Sequence, residues 1–134
     1  MNKCCFYGSL RKAMYNYTKI INKHGVNSMK YIKTIKLPGF TLYDTNLGYP
    51  TAIRSFGDNI IVVDLFELDD HAFESIEYME VNAGYEEDFV SIDDQTYSIF
   101  LFSSNQIEEN FKLITSGDWI MYVNKSIFIK QLNN

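Results

Sequence analysis

Cys4-Cys5-Phe6-Tyr7-Gly8-Ser9-Leu10 is an apolar run followed directly by a turn that contains glycine. The run Cys4-Cys5-Phe6 predicts a strand. Because Gly8 has no Cβ and a small hydroxyl residue follows it, successive backbone N–H groups can point outward together, with nothing blocking a ligand. The sequence therefore predicts a turn that holds an anion or a developing oxyanion. An ordinary strand exit has the same composition, so this interpretation depends on segments further along the chain.

Length and composition predict one folded domain, residues 1–134, with a sizeable core, because the chain is 46% hydrophobic and 16% aromatic. A net charge of −5 argues against a duplex nucleic-acid partner. The basic stretch from Lys19 to Lys36 is interpreted as the solvated side of a helix and a strand. With no long apolar run and no charged-then-apolar leader, we expect no membrane partner and a cytoplasmic location.

The sulfur and imidazole side chains predict neither a disulfide framework nor a metal site. Cys4 and Cys5 are adjacent in the predicted strand, where successive side chains point to opposite faces. His24 and His71 do not lie at a ligand spacing from a cysteine or a carboxylate pair, so both are expected at the surface. No Ser-His or Cys-His pair can be read from the sequence, which makes nucleophilic catalysis the weaker enzyme hypothesis.

The apolar pattern predicts an α+β fold, a small closed or nearly closed β-barrel with two to three peripheral helices. A helix is predicted over Ala13–Ile21, and Gly57-Asp58-Asn59 predicts a hairpin between the strands on either side of it. Residues 106–114 and the chain from Trp119 onward are expected to be partly helical, with a strand over 127–129 as the alternative. One strand is predicted to run through Tyr31, Ile32 and Ile35 and to stop at Pro38-Gly39. The other predicted strands are Cys4–Phe6, Phe40–Tyr43, Thr51–Phe56, Ile60–Leu68, Phe89–Ile92 and Thr96–Phe102.

Glu80 is the carboxylate that the helical pattern places among apolar side chains. A helix is predicted to begin at Asp69-Asp70, and at about 100° per residue Glu80 falls in one arc with Phe73 and Ile76. Burial there disfavours the charged carboxylate and raises its pKa towards the range useful for proton transfer. The alternative is that the helix frays before residue 80 and leaves a solvated side chain.

Four segments, in this order, resemble the γ-glutamylcyclotransferase-like family, which includes the AIG2-like and γ-glutamylamine cyclotransferase branches. The resemblance implies a small β-barrel with peripheral helices and a reaction without a cofactor, in which the α-amino group of a γ-glutamyl compound attacks its own γ-carbonyl. The products are 5-oxoproline and an amine or amino acid. The segments are Tyr7–Leu10, Gly39–Asp44 with Tyr49-Pro50, Leu68–Glu80 with Tyr85, and Ser116-Gly117-Asp118-Trp119.

The resemblance also implies the site residues and their partner, a small γ-glutamyl or amino-acid-like ligand. Glu80 is the expected general acid and base, and the backbone N–H groups of Gly8, Ser9 and Leu10 are expected to bind the substrate carboxylate or the oxyanion. Tyr7 is expected to shape the pocket floor. The remaining predicted substrate-binding residues are Tyr49 and Tyr85.

Two departures from the family pattern lie next to these residues. Val81 follows Glu80 where glycine is usual, and Glu86-Glu87-Asp88 follows Tyr85 where an arginine is usual. If the acidic run faces the pocket mouth, it favours a neutral or cationic leaving group. The second hypothesis is a non-catalytic protein that binds or sequesters a small ligand in the same pocket. The high Asn, Lys, Ile and Tyr content indicates an AT-rich genome and fits a viral or mobile-element protein.

Overall fold

The computed structural model describes residues 2–132, which form eight strands, three α-helices and one 3-10 helix. The α-helices are α1 (Tyr15–His24), α2 (Asp70–Asn82) and α3 (Trp119–Leu132), and the 3-10 helix is Ser104–Gln106. No α-helix in this range is long and apolar enough to cross a membrane. The strands are β1 (Asn2–Phe6), β2 (Met29–Pro38), β3 (Phe40–Asp44), β4 (Pro50–Arg54), β5 (Ile60–Leu68), β6 (Glu86–Ile92), β7 (Gln95–Leu101) and β8 (Lys112–Leu113).

The strands form two sheets, which confirms the α+β class. The larger has the order β2-β5-β1-β7-β6 and the smaller the order β4-β3-β8. Both orders are linear, and neither sheet closes on itself within residues 2–132, so the predicted barrel is not confirmed. Lys33 on β2 and Asp93 in the β6–β7 turn form an ion pair of 2.6 Å. Because this pair joins elements at opposite ends of the strand order, the larger sheet is strongly curled.

The hairpin predicted around Gly57-Asp58-Asn59 is wrong. β4 pairs with β3 in the smaller sheet, whereas β5 lies between β1 and β2 in the larger one. The turn signal is real, since Gly57 has φ +92°, but this turn connects two sheets. β5 is buried along most of its length and needs a partner on each side, and local turn chemistry does not specify that burial.

Three further boundaries differ from the sequence prediction. α1 begins at Tyr15 rather than Ala13, because Ala13 has φ +67°, which a helix does not allow. The segment 106–114 is mainly turn and irregular backbone between the end of the 3-10 helix and β8, so the predicted helix there is wrong. The backbone of residues 127–129 lies within α3, which excludes the alternative strand.

The core has two layers, one on each face of the larger sheet. Cys4 belongs to one layer and Cys5 to the other, which confirms that the adjacent cysteines point to opposite faces, and both are free thiols. α1 and α2 cover the first layer through side chains such as Ile20 and Ile76. The smaller sheet and Trp119 cover the second. The chain immediately after β1 therefore emerges between the layers, next to the end of α2.

The segment Ser116-Gly117-Asp118-Trp119 fastens α3 to the larger sheet. The carbonyl oxygen of Gly117 accepts a hydrogen bond of 2.8 Å from Val62 N–H. A Cβ on Gly117 would lie 2.1 Å from the Ile60 carbonyl oxygen, and its φ of +69° also favours glycine. Trp119 is 5% exposed, and its ring stacks on Tyr122 with 5.7 Å between centroids.

We expect Trp119→Ala to lower the free energy of unfolding by about 3–5 kcal/mol, because it leaves a large cavity in the core. Met121→Ala on the same helix is the matched control, since Met121 is 53% exposed and its loss should change little. Urea denaturation followed by circular dichroism measures both. Equal stability of the two variants would contradict a core role for Trp119.

Candidate active site

α2 carries Glu80 into the structure as a continuous helix. Its N-cap is Asp69, whose side chain accepts a hydrogen bond of 2.8 Å from Ala72 N–H, and the helix continues to Asn82. Beyond it, Tyr85 N–H donates to the Glu80 carbonyl oxygen at 3.0 Å. Glu80 thus lies in an ordered last turn with its side chain partly buried, and the alternative of a frayed helix end is wrong.

A cavity of about 170 Å³ lies between the turn after β1 and the last turn of α2. All seven predicted site residues line it: Tyr7, Gly8, Ser9, Leu10, Tyr49, Glu80 and Tyr85. The structure brings these residues together, and their roles stay predictions. The other lining residues are Cys5, Phe6, Asn16, Pro50, Met79, Ala83 and Phe100.

Burial raises the pKa of Glu80 to about 7. Its surroundings include the apolar side chains of Phe6, Met79 and Phe100, which solvate a charge poorly. Among the described residues the Glu80 carboxylate has no hydrogen-bond donor and no ion-pair partner. Its position at the negative end of the α2 dipole also disfavours the charged form. The site therefore contains a carboxyl group that exchanges a proton near neutral pH.

The hydroxyl groups of the two buried tyrosines in the pocket donate hydrogen bonds to backbone carbonyl oxygens. Tyr7 Oη donates to the Phe100 carbonyl oxygen at 2.5 Å, and Tyr85 Oη donates to that of Pro50 at 2.6 Å. Burial raises the pKa of both hydroxyls well above the ordinary range, and the nearby Glu80 carboxylate raises them further. Both phenols stay protonated, so they shape the pocket rather than exchange protons.

In the turn, the carbonyl oxygens of Gly8 and Ser9 accept hydrogen bonds from neighbouring backbone N–H groups, whereas the N–H groups of the turn itself have no acceptor within the described chain. Gly8 O accepts from Arg11 N–H at 3.0 Å, and Ser9 O accepts from the N–H groups of Asn16 at 3.0 Å and Tyr17 at 3.1 Å. Among the described residues no acceptor meets the N–H groups of Gly8, Ser9 or Leu10. A turn with three such donors beside a cavity can bind an anion.

The structure gives a second reason for glycine at position 8. Its φ lies outside the left-handed region, but a Cβ there would lie 2.8 Å from Pro50 Cγ. Gly8 therefore permits close packing of Pro50, and the approach of a ligand to its backbone stays a prediction. A larger residue at position 8 would displace Pro50 and its neighbour Tyr49 from the pocket wall.

The acidic run does not line the pocket. Glu86-Glu87-Asp88 forms the start of β6, where Glu87 accepts a hydrogen bond of 2.7 Å from Ser98 Oγ. Asp88 pairs with Arg54 at 2.8 Å, and this hydrogen bond lowers the pKa of Asp88. Glu87 and Asp88 are engaged along the sheet and none of the three residues lines the cavity, so the structure gives no support to selection of a leaving group by this run.

Both histidines lie in a second, shallow cleft between α1 and α2. His24 Nε2 lies 2.8 Å from Ser75 Oγ, which is 51 residues further along the chain. His24 is half-buried in this open cleft and His71 is exposed, so both lie at the surface as expected. Ser75 lies in the second turn of α2, and Lys23 and Glu74 line the same cleft. Among residues 2–132 no group of three His, Cys, Asp or Glu side chains is arranged to hold a metal ion.

Comparison with protein families matches residues 4–121 to the description "Gamma-glutamyl cyclotransferase, AIG2-like". The chain belongs to this family. The match confirms the resemblance drawn from the four sequence segments, and it spans the turn, Glu80 and the Ser116–Trp119 segment. A search of curated proteins gives no significant match.

Solved structures share the family fold at low sequence identity. The uncharacterized protein PH0828 of Pyrococcus horikoshii has a TM-score of 0.75 at 22% identity, covering 96% of this chain and 98% of that one. The protein c4763 of uropathogenic E. coli has a TM-score of 0.72 at 19% sequence identity, and the match covers 92% of this chain and 95% of that one. Allophanate hydrolase of Kluyveromyces lactis has a TM-score of 0.73 at 15% sequence identity, and the match covers 92% of this chain but only 21% of the enzyme. At these identities the similarity establishes the fold alone.

We expect Glu80→Gln to stabilise the protein at pH 8 and to have no effect on stability at pH 4. The folded protein holds the Glu80 proton more tightly than the unfolded chain, so the unfolding free energy of the parent falls as pH rises from about 4.5 to about 7. The gain at pH 8 is about 2 kcal/mol, since each pKa unit is worth about 1.4 kcal/mol and solvent at the opening screens part of it.

Glu74→Gln is the matched control, because Glu74 is exposed on the same helix and lies outside the pocket. Urea denaturation across this pH range measures both variants. A Glu80→Gln effect that is independent of pH would contradict the raised pKa.

Proposed function

We propose that the protein is a γ-glutamyl cyclotransferase that releases 5-oxoproline and an amine, with Glu80 as general acid and base. The observation that carries the proposal is one cavity containing a carboxyl group of pKa about 7 and three N–H groups without acceptors. Family membership supports the reaction type. A proton acceptor on one wall of the cavity and an anion-binding turn on the other suit an amino acid derivative, which carries both an ammonium group and a carboxylate.

In this mechanism the Glu80 carboxylate accepts a proton from the substrate's α-ammonium group. The freed amine attacks the γ-carbonyl carbon, a new C–N bond closes the five-membered ring, and the carbonyl oxygen becomes an oxyanion. The oxyanion then collapses, the bond to the departing nitrogen breaks, and protonated Glu80 gives its proton to that nitrogen. The Glu80 carboxylate so formed accepts the extra proton of the ring nitrogen, which becomes the lactam N–H, and then releases that proton to solvent. A pKa near 7 suits both steps at neutral pH.

Positioning supplies much of the rate enhancement, because both reacting groups belong to one molecule. Holding the γ-glutamyl chain folded removes much of the entropic barrier to ring closure. The N–H groups of Gly8, Ser9 and Leu10 hold the carboxylate at one end of the chain, and Glu80 holds the ammonium group. Tyr7 and Tyr85, fixed by their bonds to backbone carbonyls, form a rigid surface against which the chain folds.

The charge of the pocket supports an amine rather than an amino acid as the leaving group. Glu80 is the charged side chain among the lining residues, and no lysine or arginine lines the cavity within the described chain. Arg11, the nearest buried cation to the turn in sequence, is engaged by Asp64 and Asp118. A leaving group with its own carboxylate would meet no cation at the wall and would lie near Glu80.

We expect Glu80→Gln to lower the rate of 5-oxoproline formation by about 10²–10⁴-fold, because an amide cannot accept the ammonium proton. In the parent, kcat/KM should rise with pH to a plateau with a midpoint near 7, as Glu80 loses its proton. A panel of γ-glutamyl compounds and a 5-oxoproline assay measure both. Glu74→Gln should leave the rate and its pH profile unchanged. Ligand binding by the parent without any product would instead favour the non-catalytic binding protein.

A matched pair of substrates tests the leaving group. γ-Glutamylethylamide and γ-glutamylalanine differ by one carboxylate on the departing amine. We expect kcat/KM to be roughly tenfold higher for the ethylamide, because an unpaired carboxylate near Glu80 costs about 1.4 kcal/mol or more. Equal values, or preference for γ-glutamylalanine, would contradict the assignment to amines.

A further inference from the structure

Asn16 is the polar residue of the pocket to which neither the sequence analysis nor the proposed mechanism gives a role. It lies in the first turn of α1 and lines the cavity together with Ser9. Its side-chain Nδ2 donates a hydrogen bond of 2.6 Å to Ser9 Oγ, and its backbone N–H donates to Ser9 O at 3.0 Å. Asn16 therefore holds Ser9 by both its hydroxyl group and its carbonyl group.

The direction of the side-chain hydrogen bond has a chemical consequence. An amide nitrogen donates and does not accept, so Ser9 Oγ is the acceptor in this pair. The Ser9 hydroxyl keeps its own proton, and no other acceptor among the described residues takes it. That proton is free for a ligand beside the N–H groups of Gly8, Ser9 and Leu10.

The start of α1 shows that this contact also fixes the turn. The N-cap residue Met14 makes no side-chain capping bond, and Ser9 O caps the helix instead by accepting from Asn16 and Tyr17. The turn and the first turn of the helix are thus one unit. Since the carbonyl group of Ser9 is held towards the helix, its N–H and hydroxyl groups remain for the cavity.

We propose that Asn16 is a positioning residue that orients the Ser9 hydroxyl to donate a hydrogen bond to the α-carboxylate of the bound γ-glutamyl substrate. This inference rests on the proposed cyclotransferase function and adds a fourth donor to the carboxylate subsite. The α-carboxylate is charged before, during and after ring closure. Its donors therefore contribute to substrate and product binding equally and leave the chemical step unchanged.

The test compares Asn16→Ala and Asn16→Asp by turnover of γ-glutamylethylamide and by calorimetric titration with 5-oxoproline, whose carboxylate is a probe of the subsite. Asn16→Ala should raise KM and weaken 5-oxoproline binding by about tenfold, with kcat little changed, as expected for loss of one oriented donor to an anion. Asn16→Asp should be worse than Asn16→Ala, because a carboxylate takes the Ser9 proton and repels the ligand.

The aspartate variant separates positioning from a structural role. An acidic residue in the first turn of a helix stabilises it, so a purely structural Asn16 would make Asn16→Asp the milder change in both stability and binding. Ser9→Ala should match Asn16→Ala, the double variant should add little, and Ser9→Thr should retain binding. Asn22→Ala is the control, because Asn22 is exposed on the same helix, and this variant should behave as the parent.

The outcomes distinguish this inference from the function on which it rests. Turnover by the parent, with Asn16 variants unchanged or affected only in kcat, overturns the role of Asn16 and leaves the cyclotransferase standing. Binding of 5-oxoproline that depends on Asn16, without turnover of any γ-glutamyl compound, overturns the cyclotransferase and retains the carboxylate subsite. A parent that neither binds 5-oxoproline nor forms it overturns both.

Discussion

The buried ion pair between Arg11 and Asp64 is the interaction on which the arrangement of the site depends. Arg11 Nε lies 3.3 Å from Asp64 Oδ2, and both residues are almost completely buried. A second carboxylate, Asp118, accepts from Arg11 at 2.9 Å, and Asp64 also accepts from Lys12 N–H at 2.9 Å. A buried charge without its partner is strongly destabilising, so these three side chains must meet when the chain folds.

Each member of this cluster comes from a different part of the chain, and together they fix the position of the turn after β1. Arg11 follows the turn directly, Asp64 lies in β5, and Asp118 immediately precedes α3. The cluster fastens the loop after β1 against the middle of the larger sheet and against the start of the last helix. The carbonyl oxygens of Gly8 and Ser9 accept from Arg11, Asn16 and Tyr17, and Gly8, Ser9 and Leu10 line the cavity.

At Glu80 the stability of the fold and the proposed proton transfer place opposite demands on the same side chain. A carboxyl group among apolar side chains at the end of a helix is an unfavourable place for a charge, and the raised pKa is the measure of that conflict. In the proposed mechanism the same conflict makes the group useful, because an ordinary solvated glutamate would be a weak base at neutral pH. The buried Ala72 and Ile76 anchor α2 and thereby hold the carboxylate in this position.

The sequence by itself determined the features that depend on local periodicity and on the order of motifs along the chain. The helical arc from Phe73 to Glu80, the strand before Tyr7 and the four family segments could all be read directly, and the structure places all seven predicted site residues around one cavity. Helical spacing sufficed for Glu80, because its partners on the arc, Ile76 and Phe73, lie four and seven residues before it.

Tertiary structure alone decided which distant groups meet. The turn at residues 57–59 joins two sheets rather than two paired strands, since the partners of β5 are chosen by burial over the whole sheet. Asn16 enters the site because Ser9 caps α1 across a loop, and Gly8 is required because Pro50 packs against it from a separate strand. Such contacts join residues with no fixed spacing, so no local pattern records them.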